Sequence, residues 1–139
     1  MQHISRAVLS LLIIISIFIA ALPGIAYVAG LSRIEGRPNP AEPTLYSREA
    51  INSVWQQCRE VLPVEVEPIN PWGLTSSFIF ENPFHTTPGQ RAAWRIATTY
   101  NSAHPVGGNI WWQTSGATLT IWVTRHWSAE QIGTTLVHD

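Results

Sequence analysis

Few side chains in this sequence are spaced to do chemistry together. In the aromatic loop ENPFHTTPG, Glu81 and His85 stand four residues apart, a carboxylate and an imidazole suited to acid/base work. The same stretch also reads as a proline-bearing loop with a polar surface. Arg91 and Arg95 are likewise four apart. On a helix that spacing puts both guanidiniums on one face, one turn from each other. There they can grip a pyrophosphate or a carboxylate, or simply stand solvated. Cys58 is the only cysteine, so an intrachain disulfide is excluded. It falls on an apolar helical stripe, as a small core residue rather than a nucleophile. The five histidines are scattered, and no Cys/His cluster has zinc spacing. Neither a metal nor a cofactor is expected. A net charge of −1 gives no electrostatic field for nucleic acid.

These residues have to be positioned by a short chain. Its 139 residues hold one domain beside whatever a membrane takes. Ala7 to Ser32 carries no charged residue, and its centre, VLSLLIIISIFIAAL, is nearly continuous aliphatic. A run longer than about 18 such residues crosses a bilayer as a helix. Residues 1–32 are therefore expected to be a membrane anchor or signal-anchor. The rival is a cleaved signal peptide, with Gly24-Ile25-Ala26 as a small-x-small site. Residues 33–45 form a proline-rich neck, read as an extended spacer that carries the body off the membrane. Residues 46–139 form a small extracytoplasmic domain.

Within that domain Ser47 caps a first helix, with Ile51, Val54, Trp55, Cys58 and Leu62 as its apolar stripe. Pro63 is expected to stop it. Val64–Glu67 alternates apolar and acidic residues and suits a short edge strand. NPWGL reads as a turn, and Thr75 to Phe80 as an apolar run that is helix or strand. Thr87-Pro88 opens a second helix whose buried face is expected to hold Ala93, Trp94, Ala97 and Tyr100 with Ile96. From Asn109 onward two assignments compete. NIWWQT-SG-ATLTIWVT is rich in β-branched and aromatic residues about a Ser-Gly turn, which gives a hairpin over Asn109–Thr124 and an α+β fold. A single long helix gives a mainly α fold. Ser128 then opens a last helix with a capping box completed by Gln131.

Ala117 to Val137, ATLTIWVTRHWSAEQIGTTLV, resembles the core segment of the peptidoglycan glycosyltransferases, glycosyltransferase family 51. There a helix ends in an arginine-rich turn and a [WY]-S-K-x-x-I-L sequence starts the next. Arg125, Trp127, Ser128, Gln131 and Ile132 match that pattern. The anchor, the Gly-Arg-Pro neck and the helical order also resemble the small transglycosylase-domain proteins of that family. The resemblance implies helix over Ala117–Trp127, and so a mainly α fold: one transmembrane helix followed by a small helical domain. The family's glutamate lies in E-D-x-x-F-x-x-H-x-G. Its nearest counterpart here is Glu81-Asn82-Pro83-Phe84-His85, with Asn82 in place of the aspartate and different spacing. The family's S-T-x-x-Q-Q is missing, and Ala129 replaces the usual lysine.

What the resemblance implies is a transglycosylase-like domain that is incomplete or catalytically impaired. Glu81 and His85 are its catalytic candidates. Arg91, Arg95 and Arg125 would hold the phosphates of a lipid-linked peptidoglycan precursor, and Trp127 would be a ligand contact. The expected setting is a bacterial inner membrane, crossed once, with the C-terminal body in the periplasm. Its partners would be membrane lipid and either that precursor or a membrane protein. The alternative is a non-enzymatic accessory or interaction subunit of a membrane complex, favoured by seven tryptophans.

Overall fold

The computed structural model describes residues 2–58, 64–80, 87–105 and 107–138. They form six α-helices: α1 (Gln2–Arg33), α2 (Arg48–Gln57), α3 (Pro71–Phe80), α4 (Pro88–Ala103), α5 (Asn109–His126) and α6 (Ala129–His138). A single 3₁₀ turn, Pro43–Leu45, precedes α2. Among the described residues there is no strand, so the fold is mainly α: a long apolar helix and then a small helical body.

α5 is the central element and packs against α1, α3 and α4. The hairpin alternative over Asn109–Thr124 is not formed; one helix runs through the Ser-Gly pair. Gly108 enters it at φ 81°, a conformation that favours glycine. Three threonines that argue for strand turn their hydroxyls back onto the helix. Thr114 donates to the Ile110 carbonyl, Thr120 to Gly116 and Thr124 to Ile121, at 2.8–3.0 Å. Burial decides the rest. Ser115, Gly116, Thr118, Leu119, Thr120, Ile121, Val123 and Thr124 cover successive faces, as in a helix enclosed by neighbours.

The core lies where α4, α5 and α6 meet α2. Ile51, Trp55, Ala93, Ile96, Val123, Ile132 and Leu136 are buried there together. α4 buries Ala92, Ala93, Ile96, Ala97 and Asn101. Trp94 and Tyr100, expected inside, are only half-buried. Alanines let α4 approach α5 closely, and the larger rings lie along the flanks. Asn101 and Ser115 bring a polar pair into this contact: Asn101 Nδ2 donates to the Trp112 carbonyl at 2.8 Å, and Ser115 Oγ donates to Asn101 Oδ1 at 2.8 Å.

The strand expected at Val64–Glu67 is not formed. Val64 and Val66 do pack on the core while Glu65 and Glu67 face solvent, so the alternation is real. Among the described residues no second strand lies beside it, and at Ile69 the backbone N–H goes to Thr124 Oγ1 at 3.2 Å. The turn expected at NPWGL is instead the start of α3. Asn70 Oδ1 accepts from Gly73 N at 2.6 Å, and Pro71 takes the first helical position.

The neck is not a free spacer. Ile34 is buried with Ala97 and Leu119. Tyr100 Oη donates to the Glu35 carbonyl at 2.8 Å, and Ala41 N donates to Thr135 Oγ1 at 3.0 Å. Residues 34–41 are thus strapped along the body. The body in turn rests on α1 itself through α3 and α5. The helix ends agree with their signals where these are described. Ser47 Oγ accepts from Ala50 N at 3.2 Å, Thr87 and Gln90 form a capping box, and so do Ser128 and Gln131. α2 ends at Gln57, earlier than Pro63 requires; Leu62 and Pro63 lie outside the described residues.

Candidate anion-binding cleft

α4 begins where the Thr87–Gln90 capping box fixes its first turn, with Gln90 N donating to Thr87 Oγ1 at 3.3 Å. From that start Ala92, Ala93, Ile96 and Ala97 point into the core, which turns Arg91 and Arg95 outward. Both arginines are exposed and both line one cleft of about 320 Å³. The last turn of α2 forms the opposite wall with Val54, Gln57 and Cys58, and Leu136 of α6 contributes to the apolar lining. Pro88 of the first turn of α4 also lines it, while the carboxyl end of α2 lies on the other side, so the partial charges of the two helix ends oppose each other. Two arginines, one amide side chain and apolar walls suit an anion attached to an apolar or sugar-like body.

The other residues named from sequence do not join this cleft. Arg125 is exposed on the last turn of α5 and lines none of the described clefts. Trp127 is buried at 6 % exposure and packs its ring edge-on against Trp122, centroids 6.3 Å apart. Its place in the core removes it from the ligand contacts. Its match to the family pattern has a packing cause: it closes the α5–α6 corner that Ser128 then caps. Glu81 and His85 lie outside the described residues. Among the described residues no three His, Cys, Asp or Glu side chains gather where a metal could sit. Cys58 is half-buried at the carboxyl end of α2, where its N–H continues the helix to the Val54 carbonyl at 3.0 Å.

The described residues also line two other openings. The larger, about 460 Å³, lies between Arg48, Asn52 and Trp55 of α2 and Glu130 of α6; it carries both signs of charge and so selects for neither. The smaller, about 190 Å³, is an apolar crevice between Pro23 and Ala26 of α1, Leu74 of α3 and Ile121 of α5.

Sequence reading missed two contributors. Gln57 entered no motif, because its role depends on α2 ending beside α4. Trp72 donates Nε1–H to the Ala20 carbonyl of α1 at 2.7 Å. Its helix had a readable start, since Asn70-Pro71 carries the same cap-then-proline signature as Thr87-Pro88. α1 itself, from Arg6 to Arg33, is long and apolar enough to cross a membrane. No family model, no curated protein and no solved structure matches the chain.

Proposed function

We propose that this chain is a single-pass, membrane-anchored protein of the bacterial inner membrane, with its helical body in the periplasm. Its body binds a phosphate-bearing, lipid-linked glycan of the peptidoglycan precursor class, as a transglycosylase-like domain without full catalytic power. One observation carries this reading: Arg91 and Arg95, one turn apart, line the same apolar-walled cleft at the amino end of α4. A pyrophosphate offers enough oxygens to engage both guanidiniums. The apolar lining accommodates what the phosphates are attached to.

The test is binding of lipid II to purified full-length protein in detergent, beside a polymerisation assay. Binding is expected, weakened about tenfold or more by Arg91→Gln and further by Arg95→Gln, since hydrogen bonds to charged groups contribute about 1.5–3 kcal/mol each. Polymerisation is expected to be absent or weak. Lack of binding by the unaltered protein removes the proposal. Full polymerase activity, lost in Glu81→Gln, would replace it with that of an enzyme.

A second reading, an accessory subunit of a membrane complex, is favoured by Ile110 at 79 % exposure beside Trp111 at the amino end of α5. A photo-crosslinker at Ile110 that captures one partner in stoichiometric amount from membranes would support it. Crosslinks to lipid alone would count against it.

A further inference from the structure

We infer that α3 is a second membrane-inserted element, a short helix packed on α1 within the leaflet nearer the body, with lipid hydrocarbon as what covers its free face. The inference rests on the reading that α1 spans the bilayer. It then follows from where α3 touches α1.

Arg6 and Arg33 bound an uncharged helical run from Ala7 to Ser32. At 1.5 Å per residue that run is about 39 Å long. A hydrocarbon core about 30 Å thick takes about 20 of those residues. The slab can slide along the run, but every placement includes Ile13 to Ala26. Ala20 therefore always lies inside the hydrocarbon, about 9 Å or more below the edge nearer Arg33. Tilting α1 immerses more residues and leaves Ala20 no shallower. Trp72 hydrogen-bonds the carbonyl of Ala20 at 2.7 Å, and its ring lies over Gly24. A β-carbon on Gly24 would stand 3.4 Å from that ring, an ordinary van der Waals contact, so the ring packs directly on α1 there. The Trp72 ring, carried by the first turn of α3, is thereby fixed at hydrocarbon depth.

The composition and hydrogen bonding of α3 agree with that location. From Pro68 to Phe80 no residue is charged. An apolar segment of that length belongs to a buried core or to a membrane interface. Trp72 is 53 % exposed, which excludes the buried core for that face. In hydrocarbon, donors must be satisfied within the protein. Trp72 Nε1–H has its acceptor on Ala20, Thr75 Oγ1 donates to the Pro71 carbonyl at 2.8 Å, and Ser76 Oγ to Gly73 at 2.9 Å. Pro71 has no N–H to satisfy. The nearest preceding charge, Glu67, is five residues before Trp72 and reaches up to about 17 Å from it, enough to stay among headgroups. Arg33 lies with its guanidinium 4.6 Å from the Trp111 ring centroid, at the far end of the same run, where an aromatic and a cation suit the interface.

The test uses full-length protein in phosphatidylcholine/phosphatidylglycerol vesicles, with Cys58→Ser as background and single nitroxides at Ser76→Cys, Ile14→Cys and Thr99→Cys. Collision rates with oxygen and with a water-soluble nickel chelate are compared. Ser76 and Ile14 are expected to favour oxygen, and Thr99, exposed on α4, to favour nickel. A nickel-dominated Ser76 beside an oxygen-dominated Ile14 overturns the inference and leaves the anchor standing. Nickel dominance at both overturns the two together. Failure of the unaltered protein to bind lipid II, with Ser76 still oxygen-dominated in the labelled one, refutes the glycan reading alone. Acyl-brominated lipid gives an independent measurement without cysteine: it should quench a smaller share of tryptophan emission in Trp72→Phe than in the unaltered protein. Equal quenching also overturns the inference.

Discussion

The two sides of α5 are packed by different rules. Toward α4, α6 and α2 the contact is made by aliphatic and aromatic bulk: Ile51, Trp55, Ile96, Val123, Trp127 and Ile132, with Ala92 and Ala93 where the helices come nearest. Toward α1 and α3 the closest approaches are made by small residues and hydroxyls, beside the apolar crevice that Leu74 and Ile121 line. Gly30 sits against Thr114 and Thr118, Gly24 lies under Trp72, and Thr118 is buried on the facing side of α5. In water, burying apolar area drives helices together at about 25 cal/mol per Å². In lipid that drive is missing, and close backbone approach with satisfied hydroxyls takes its place. One helix carries both patterns, which is what the proposed seating of the body against a membrane requires.

The largest way to break this comparison is on the water-facing side. A β-carbon on Gly133 would come within 2.6 Å of Trp55 Nε1 and 2.7 Å of Ile51 Cγ2, and both side chains are buried. Neither can swing away without opening the α2–α6 contact. Gly133→Ala is expected to cost about 2–3 kcal/mol. That corresponds to a fall of roughly 10 °C or more in the thermal midpoint of a body this size. Scanning fluorimetry in detergent reads it. An unchanged midpoint would mean that the close approach is not what joins α2 to α6.

The membrane-side counterpart is Gly30→Ala. Its β-carbon would clash with Thr118 Oγ1 and come within 3.1 Å of Thr118 Cβ. The hydroxyl can rotate, but the β-carbon is fixed to α5, so a loss of about 1–2 kcal/mol is expected. The loss should be local: α1 lifts from α5, and residues 34–41 become open to protease before the core melts. Limited proteolysis in vesicles beside the global midpoint separates the two. If the midpoint falls as far as in Gly133→Ala while protection of the neck is unchanged, the two sides of α5 are one cooperative unit and the contrast fails.

How much of this was legible in the sequence follows the same division. On the water-facing side, amphipathic stripes and caps placed the starts of α2, α4 and α6, because burial against water imposes a helical period on residue choice; the end of α2 and the buried face of α4 at Trp94 and Tyr100 differ from expectation. Ser47, Thr87 and Ser128 each cap where their types indicate. α5 was ambiguous because a helix covered on successive faces has no such period, and its threonines favour strand until their hydroxyls find carbonyls within the helix. The seat of α3 on α1 was unreadable for another reason: nothing local indicates that Trp72 would meet Ala20, fifty-two positions earlier. The arginine pair was legible as a pair; its cleft was not, since Gln57 and Leu136 come from distant parts of the chain. Trp127 matched a pattern for packing reasons, which a pattern by itself does not distinguish from ligand contact.

The smallest expected effect sharpens the comparison by pH. Glu49 stands in the first turn of α2 and is exposed. A hydrogen bond from its own backbone N–H, then one from the Ser47 side chain, holds its carboxyl below the usual glutamate range, helped by the charge of Arg48. A lowered folded-state pKa means that the stabilisation is present above the unfolded-state value and is lost as pH falls through the lower, folded-state one. The carboxylate also favours the positive end of the helix. Glu49→Gln should therefore lower the thermal midpoint slightly at neutral pH. The difference should shrink through the acid range and vanish once Glu49 itself is protonated. Because α1, α3 and α5 carry no such group at their contacts, Gly30→Ala should show the same deficit at both ends of that range. A Glu49→Gln deficit that persists in acid would place its cause in packing rather than in charge, and would make the water-facing half as insensitive to pH as the half that meets lipid.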